Sequence, residues 1–445
     1  MDGRGQTAQV VAQVRGLVSG PLPVPAITVA RQCLLDWLGV TLAGTGEVVV
    51  DLLVGEMITT GGAGEAGLIG RPERAPAAIA ALVNGAAGHA LDYDDTHTAM
   101  SGHPTAPVAP AALAMAERLG ASGSDLLAAL IAGIEIECRV GLLVNPSHYE
   151  AGWHATGTLG AIGAAAACAY LLGLDDDGWA SAIGLAATQS AGLKAVFGSM
   201  AKPFHAGKAA HSGLMAAALT ASGFTSHPAI LEAPQGFGAT FAGHLRSENT
   251  LDDLADRYLV LDTLFKYHAA CYLTHSAIDA VGRLRNEEAV KADDVERAEV
   301  HVHRSCLAVC AIPEPRTGLE GKFSLTTSVA MALLGDDTAD PRSFTDGRMA
   351  ETDLVALRDR VTVVPDGPGP ATQSTVIIET AERTVSATVD TGCPDDDLER
   401  QGQRLAAKFM ALTGPVLGEG AARSLVDLVN TIESGHAAEI VEASL

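Results

Sequence analysis

Aromatic side chains make up only 4% of the 445 residues, although 48% of the chain is hydrophobic. A core so poor in large rings must be filled by Ala, Leu, Val and Gly, which lets helices approach closely, so a mainly helical chain is expected. Positive charge is also scarce: 29 Lys and Arg stand against 53 Asp and Glu, a formal net charge of −24. That balance repels phosphate backbones and anionic membrane surfaces, so neither nucleic acid nor membrane is expected as a partner. A small anionic substrate is allowed if a local positive pocket exists, and Lys202 and Lys266 stand in stretches otherwise poor in charge.

The seven cysteines (33, 138, 168, 271, 306, 310, 393) are an odd number at irregular spacing with no C-x-x-C pair, which suggests neither a disulfide framework nor a zinc ribbon and fits a reducing cytoplasm. The N-terminus, Met1-Asp-Gly-Arg-Gly-Gln, lacks the charged region followed by an apolar core that marks a secretory signal. The longest run without Asp, Glu, Lys or Arg, 151–174, would be long enough to span a bilayer. It holds His154, several Gly and only four leucines, three of them crowded at its end, and reads as a buried helix of a soluble bundle.

A chain this long exceeds one ordinary core, so two domains, or one large domain with an insertion, are expected. From about Ala26 to Gly223 the pattern is helix after helix with Gly and Pro punctuation; Ser124 gives one N-cap signature, and Leu174-Asp-Asp-Asp leads into a helix with an acidic first turn. After about Leu264 the texture changes: residues 295–303, 360–364 and 375–389 alternate with period two, around a helix starting near Lys322. Helices return at 395–413 and 421–433. The reading is a mainly α chain with a smaller α+β domain: a large helical domain from residues 1–263 and 395–445, with an α+β domain inserted at 264–394.

Against this background stand four polar islands: His89-Ala-Leu-Asp92-Tyr-Asp94-Asp95-Thr96-His97, Gly152-Trp-His154, Lys202-Pro-Phe-His205, and Lys266 with Cys271 and His275. Ionisable groups in such apolar segments are costly to bury unless paired or used. Each has an ordinary structural reading when taken alone: a solvated acidic loop at a helix end, a capping histidine at 154, a small buried hydrophobe at Cys271. Lys202 precedes a proline, which places it in a loop opening onto a helix, where it is suited to clamp a carboxylate; Lys208 reads as a surface residue. Asp92 to Thr96 matches the D-x-D-x-T spacing of haloacid-dehalogenase-type phosphotransferases, but the preceding residues are helix-like where that chemistry needs a strand. A metal site from His89, Asp92, Asp95, His97 and His103 fits no established ligand spacing. Cys306 and Cys310 receive no role.

Taken together, Leu91-Asp-Tyr-Asp-Asp-Thr followed by His103-Pro104, Gly152-Trp-His154, Lys202-Pro-Phe-His205 and Lys266 to His275 resemble the MmgE/PrpD family over nearly the whole chain. The resemblance implies a helical domain from both termini, a smaller α+β lid domain, a homodimer and a metal-free, cofactor-free site in an interdomain cleft. Carried over position by position, it implies that Asp92, Thr96, His103, His154, Lys202 and Lys266 line a substrate pocket, with His205 and His275 beside the lysines as further binding residues. Tyr149 matches a tyrosine of the epimerase-like branch. Cys271 departs from the His of the decarboxylase branch and the Glu of the methylcitrate dehydratase branch, and is similar to the epimerase and a mixed group of relatives.

What the family's reactions share is proton transfer at carbon next to a carboxylate of a small di- or tricarboxylate, with cationic donors stabilising the developing negative charge. Lys202 and Lys266 are expected to bind carboxylates, His154 with His103 to exchange the proton, and Asp92 to orient a histidine. Cys271 and Tyr149 would serve a second face in an epimerase. The rivals are a metal-dependent phosphotransferase or hydrolase at Asp92 to Asp95 and a non-catalytic metabolite-binding helical scaffold.

Overall fold

The computed structural model describes residues 5–57 and 61–445. The first four residues, on which the reading of the N-terminus partly rests, lie outside the described residues. The chain is mainly α with a smaller α+β part, as the composition and periodicity lead one to expect. It divides into two compact units: Met1–Ala195, Met200–Phe265 and Pro394–Leu445 form the first, and Val196–Ser199 with Lys266–Cys393 form the second.

The first unit is helical: α1 (Gln6–Val18), α2 (Val24–Gly44), α3 (Val48–Met57), α4 (Ala77–Ala90), α5 (Thr105–Leu119), α6 (Gly123–Val144), α7 (Ser147–Glu150), α8 (Ala155–Leu171), α9 (Asp176–Ala187) and α10 (Ala201–Ala221), completed by Leu398–Leu417, Glu419–Asn430 and Ala438–Ala443 from the C-terminal segment. A two-stranded ribbon of β1 (Ala66–Gly67) and β2 (Arg74–Ala75) interrupts it. The run without charge becomes α8, buried from Ala155 to Ala169. Only α2 is long and apolar enough to cross a membrane among the described residues, and most of it is buried. The acidic first turn of α9 forms as expected, capped by Asp175. The cap of α6 is Ser122, two residues ahead of the expected Ser124, its Oγ accepting from Asp125 N at 3.1 Å.

Small residues determine how the helices meet. α10 packs along both α4 and α8. At the α4 crossing a Cβ on Gly207 would lie 2.1 Å from the Leu82 carbonyl, and one on Gly85 would lie 2.9 Å from the Gly207 Cα. At the α8 crossing a Cβ on Gly213 would lie 2.5 Å from that of Ala164. Backbones this close leave no room for larger side chains and hold the ends of α4, α8 and α10 in fixed relation. Ahead of α8, Trp153, Phe237 and Phe241 pack around His148.

In the second unit, β3 (Val295–Val302), β4 (Val361–Val364), β5 (Gln373–Thr380) and β6 (Thr384–Asp390) form a sheet in the order β4-β3-β5-β6. The β3–β4 pair is parallel and the others are antiparallel. Strand β5 alternates buried and half-buried positions, with Val376 and Ile378 inward. Helix Tyr272–Glu287 packs on β5 and β6, and helix Leu325–Leu334 packs near β4. The latter begins three residues later than Lys322, capped by Ser324, whose Oγ accepts from Thr327 N.

The Gly85–Gly207 contact generates a test. Gly207→Ala pushes a methyl into the Leu82 carbonyl, and overpacking of this kind costs about 1–3 kcal/mol. Urea unfolding should show that loss together with reduced activity; wild-type stability and activity would mean the helices separate without consequence for the site.

Candidate active site

α4 ends at Ala90, and the chain turns sharply through Asp92, whose φ of 52° is left-handed, a conformation that Asp tolerates better than most residues but still at a cost of about 1 kcal/mol or more. The turn carries Asp92, Asp94 and Asp95 inward, all at 2% exposure or less. The loop is then fixed from several directions. Thr96 pairs with Leu264 through both backbone bonds at 2.8 Å. His97, which the sequence offered as a metal ligand, is structural: its Nε2–H donates to Leu259 O at 2.8 Å and its Nδ1 accepts from Ala99 N. From helix Leu398–Leu417, the buried Lys408 Nζ donates to Asp36 Oδ1 and to the Tyr93 carbonyl, both at 2.7 Å, and lies 3.9 Å from the Tyr93 ring centre.

The three carboxylates have different partners. Asp92 Oδ1 accepts from Lys202 Nζ at 2.5 Å, a buried ion pair. Asp94 sits between two imidazoles: His89 Nδ1–H donates to it at 2.8 Å, and His103 Nδ1 lies 3.3 Å away. These two histidines hold the Asp94 carboxyl well below the usual carboxylate range against the desolvation that would raise it. Asp95 contacts the Thr105 hydroxyl and accepts from Thr105 N at 3.2 Å; burial pushes its carboxyl up to about 8. The histidine-orienting contact expected of Asp92 therefore falls to Asp94, while Asp92 is engaged with Lys202 and lies 3.7 Å from His103 Nε2. Lys202 corrects the sequence reading as well. It occupies the first turn of α10, where Pro203 is tolerated because the first amides of a helix have no intrahelical acceptor.

The histidines form a chain of rings. His89 contacts His103 edge-on, with centroids 4.6 Å apart, and stacks with His154 at 5.6 Å. Burial lowers His89 to about 3, so it is neutral and donates from Nδ1. His103 Nδ1–H donates to the Asp95 carbonyl at 2.7 Å, which fixes the tautomer and makes Nε2 the basic atom of the neutral ring. His154 caps α8 and is anchored by its amide donating to Gly192 O at 3.0 Å. Burial first, then the positive charge of Lys202 and the neighbouring rings, hold it well below the ordinary histidine value. Its Nδ1 lies 3.0 Å from His205 Nδ1.

The remaining expected residues have clear settings. Thr96 Oγ1 donates to Gly102 O at 3.0 Å. Tyr149 is half-buried with Lys194 Nζ 3.6 Å above its ring and bonded to its carbonyl. Lys208, expected at the surface, is half-buried with its Nζ 3.2 Å from His211 Nδ1. In the second unit, Lys266 is fully buried, and His275 packs against Tyr272 and His268. Cys271 caps helix Tyr272–Glu287, its amide donating to Lys322 O at 2.9 Å. Cys310, assigned no role from sequence, is in thiol contact with both Cys271 and Cys306, and these neighbours push it above the ordinary thiol value. Sequence reasoning also passed over Lys322, a further buried lysine next to Cys271; its signal was a single cation at the head of an apolar helix.

His89, Asp92, Asp94 and His103 bring donor atoms within 4.8 Å of one another, close enough for a metal ion. The donor set fits such an ion poorly: Asp92 already holds the Lys202 ammonium, which would repel a divalent cation, while His89 Nδ1 is engaged by Asp94 and His103 Nδ1 by the Asp95 carbonyl. The phosphotransferase reading lacks its strand, because Asp92 follows the helix α4. What the cluster offers is a fixed cation, an imidazole with a basic Nε2 and a second, buried imidazole, the equipment of general acid–base chemistry on an anion.

Comparison with known proteins agrees. The MmgE/PrpD N-terminal domain matches residues 6–248 and the MmgE/PrpD C-terminal domain residues 268–434. The chain belongs to the MmgE/PrpD family and is an enzyme of that type. Among its relatives is cis-aconitate decarboxylase of Mus musculus, 29% identical over 379 residues that cover 81% of this chain and 76% of the relative. Cis-aconitate decarboxylase of Homo sapiens is 31% identical over 63% of this chain and 59% of its own length. That of Aspergillus terreus is 27% identical over 74% and 72% respectively.

The carboxyl of Asp95 yields a prediction about stability. Its folded value, about 8, is raised above the ordinary 3.8, so its contribution is complete below the unfolded value and is lost as pH rises through the folded one. Unfolding free energy should therefore decline as pH rises from about 4 to about 8, and Asp95→Asn should flatten that decline over the same range. An unchanged slope in the variant would assign the buried proton elsewhere. His89 has the opposite sign: lowered to about 3, it withdraws stability as pH falls from its ordinary 6.5.

Proposed function

We propose that this enzyme is a metal-free lyase of a small tricarboxylate, and that it decarboxylates a cis-aconitate-like acid. The observation that carries the reading is the Asp92–Lys202 ion pair set against His103, whose basic Nε2 faces that same carboxylate. A substrate carboxylate exchanging for Asp92 at Lys202 gains a buried cation, which binds it and stabilises charge as it develops. The bond from carbon to the departing carboxylate breaks and CO2 leaves. The electron pair stays on carbon and spreads onto the adjacent carboxylate. A proton carried on Nε2 of His154 or of His103 then closes the new C–H bond as that N–H bond breaks, and solvent restores the proton to the ring. The decarboxylases among the relatives support this outcome.

Epimerisation is the second reading, favoured by one residue. Cys271 stands where the decarboxylase branch resembled by the sequence has His, and a thiol there suits a base serving the opposite face. Lys266 is proposed to bind a second carboxylate, and Tyr149 to act with Cys271 in the epimerase case. Following the resemblance, we also propose a homodimer, which sedimentation at micromolar concentration tests directly.

The deciding experiment is proton NMR of the protein in D2O with cis-aconitate, citrate-like acids and substituted succinates, with and without chelator. We expect chelator-insensitive loss of CO2 from cis-aconitate with one deuteron in the product. Exchange at a substituted succinate without bond cleavage would replace decarboxylation by epimerisation, and abolition by chelator would return the site to metal chemistry. Cys271→Ser should cost about 10²-fold or more in kcat if the thiol carries a proton; unchanged turnover removes it from the mechanism.

A further inference from the structure

His205 lies on the first turns of α10, one helical turn beyond Lys202, and its imidazole faces that of His154. The two Nδ1 atoms are 3.0 Å apart, with ring centroids at 5.3 Å and planes inclined by 50°. Two ring nitrogens at this distance share one proton: one ring donates and the other accepts. The surroundings leave room for the pair. A Cβ on Gly192 would lie 3.1 Å from His205 Nδ1 and 3.4 Å from the His154 Cβ, and one on Gly157 would lie 3.1 Å from the His205 Cβ. Gly192, at φ 137°, also holds the His154 amide through its carbonyl. His154 is 2% exposed, whereas His205 is only half-buried, so the pair leads from the interior toward solvent.

We propose that His205 is the second ring of a two-histidine proton relay, receiving the Nδ1 proton of His154 when His154 takes a proton at Nε2 and returning it when His154 gives one up. The relay rests on the reading of this cluster as a proton-transfer site. With the shared proton on His154, its Nε2 is a lone pair and the ring is a base. With that proton on His205, neutral His154 carries Nε2–H and is an acid. In the acid direction the His154 Nε2–H bond breaks and the substrate carbanion takes the proton. His154 Nδ1 then takes a proton from His205, which passes from imidazolium to neutral imidazole. In the base direction every transfer reverses, and the positive charge arrives on His205.

The charge environment explains why a second ring is needed. His154 is faced by Lys202 of α10, His89 of α4, His103 ahead of α5, and His205 itself; His205 is faced by Lys202 and His154. The strongest charge acting on His154 is the Lys202 ammonium, so an imidazolium confined to His154 would stand buried beside another cation. His205 carries the charge one ring farther out, where solvent reaches it. It is a positioning residue, acting on substrate only through His154.

His205→Asn tests the relay, because its amide keeps a hydrogen-bonding group near the Nδ1 position but carries no exchangeable charge. We expect kcat for the decarboxylation to fall by ~10²-fold or more, KM to stay within about 3-fold, and the limb of the pH–rate profile set by the pair to disappear. A kcat within about 3-fold of wild type, or a loss with the profile unchanged, would reduce His205 to packing. A second measurement needs no turnover: long-range 1H–15N correlation of histidine-labelled full-length protein from about pH 8 to about pH 5. His205 should gain charge while His154 stays neutral and switches tautomer, and in the Asn variant His154 should keep one tautomer. Charging of His154 itself would overturn the relay. Absence of turnover by the wild type would instead count against the substrate reading, leaving the tautomer result to decide the relay.

Discussion

Burying three carboxylates within four residues, with a fourth close behind, is the constraint around which the first unit is built. An uncompensated buried charge costs several kcal/mol, and each carboxylate is relieved by a different route. Asp92 has an ammonium, Asp94 two imidazoles, Asp95 keeps its proton, and Asp36 draws on Lys408. The partners come from α4, from the segment before α5, from α10 and from helix Leu398–Leu417, so satisfying the loop's charges fixes where those elements converge. The Asp92–Lys202 pair is the part of this arrangement open to exchange with a substrate anion, which is how a structural requirement becomes a chemical one.

Charge neutralisation at this density needs backbones held close, and the shortage of aromatics serves that end. Alanine and glycine line the crossings of α10 with α4 and α8. The polar groups consequently stand at helix ends whose separation is set by backbone contact rather than by the packing of long side chains. General acid–base chemistry depends on such placement, since a misplacement of 1 Å between reacting groups can cost about 10²-fold in rate.

Much of this was legible in the sequence. Period-two alternation located the strands at 295–302 and 373–390, and the charge-free run located α8, because both follow from which face is buried. The islands at Asp92, His154 and Lys202 were legible because charge in an apolar segment stands out. The division of labour among them was not. Whether Asp92 or Asp94 contacts histidine depends on a left-handed turn at residue 92, and nothing in D-Y-D-D announces its direction. Lys408 was invisible as a partner of Asp36 because 372 positions separate them and its helix is amphipathic, so it reads as one more surface cation. Lys322 and Cys310 were likewise silent, since a single lysine or thiol acquires meaning only from its neighbour in space.

The anchoring of Tyr93 by Lys408 has a consequence in time. The loop bearing Asp92 leaves the ribosome more than 300 residues before the lysine that steadies it. Until the last helices emerge, Asp36 lacks its buried cation and the Tyr93 carbonyl its donor. The nascent chain thus carries its acidic loop through most of synthesis without its final clasp, which helix Leu398–Leu417 supplies.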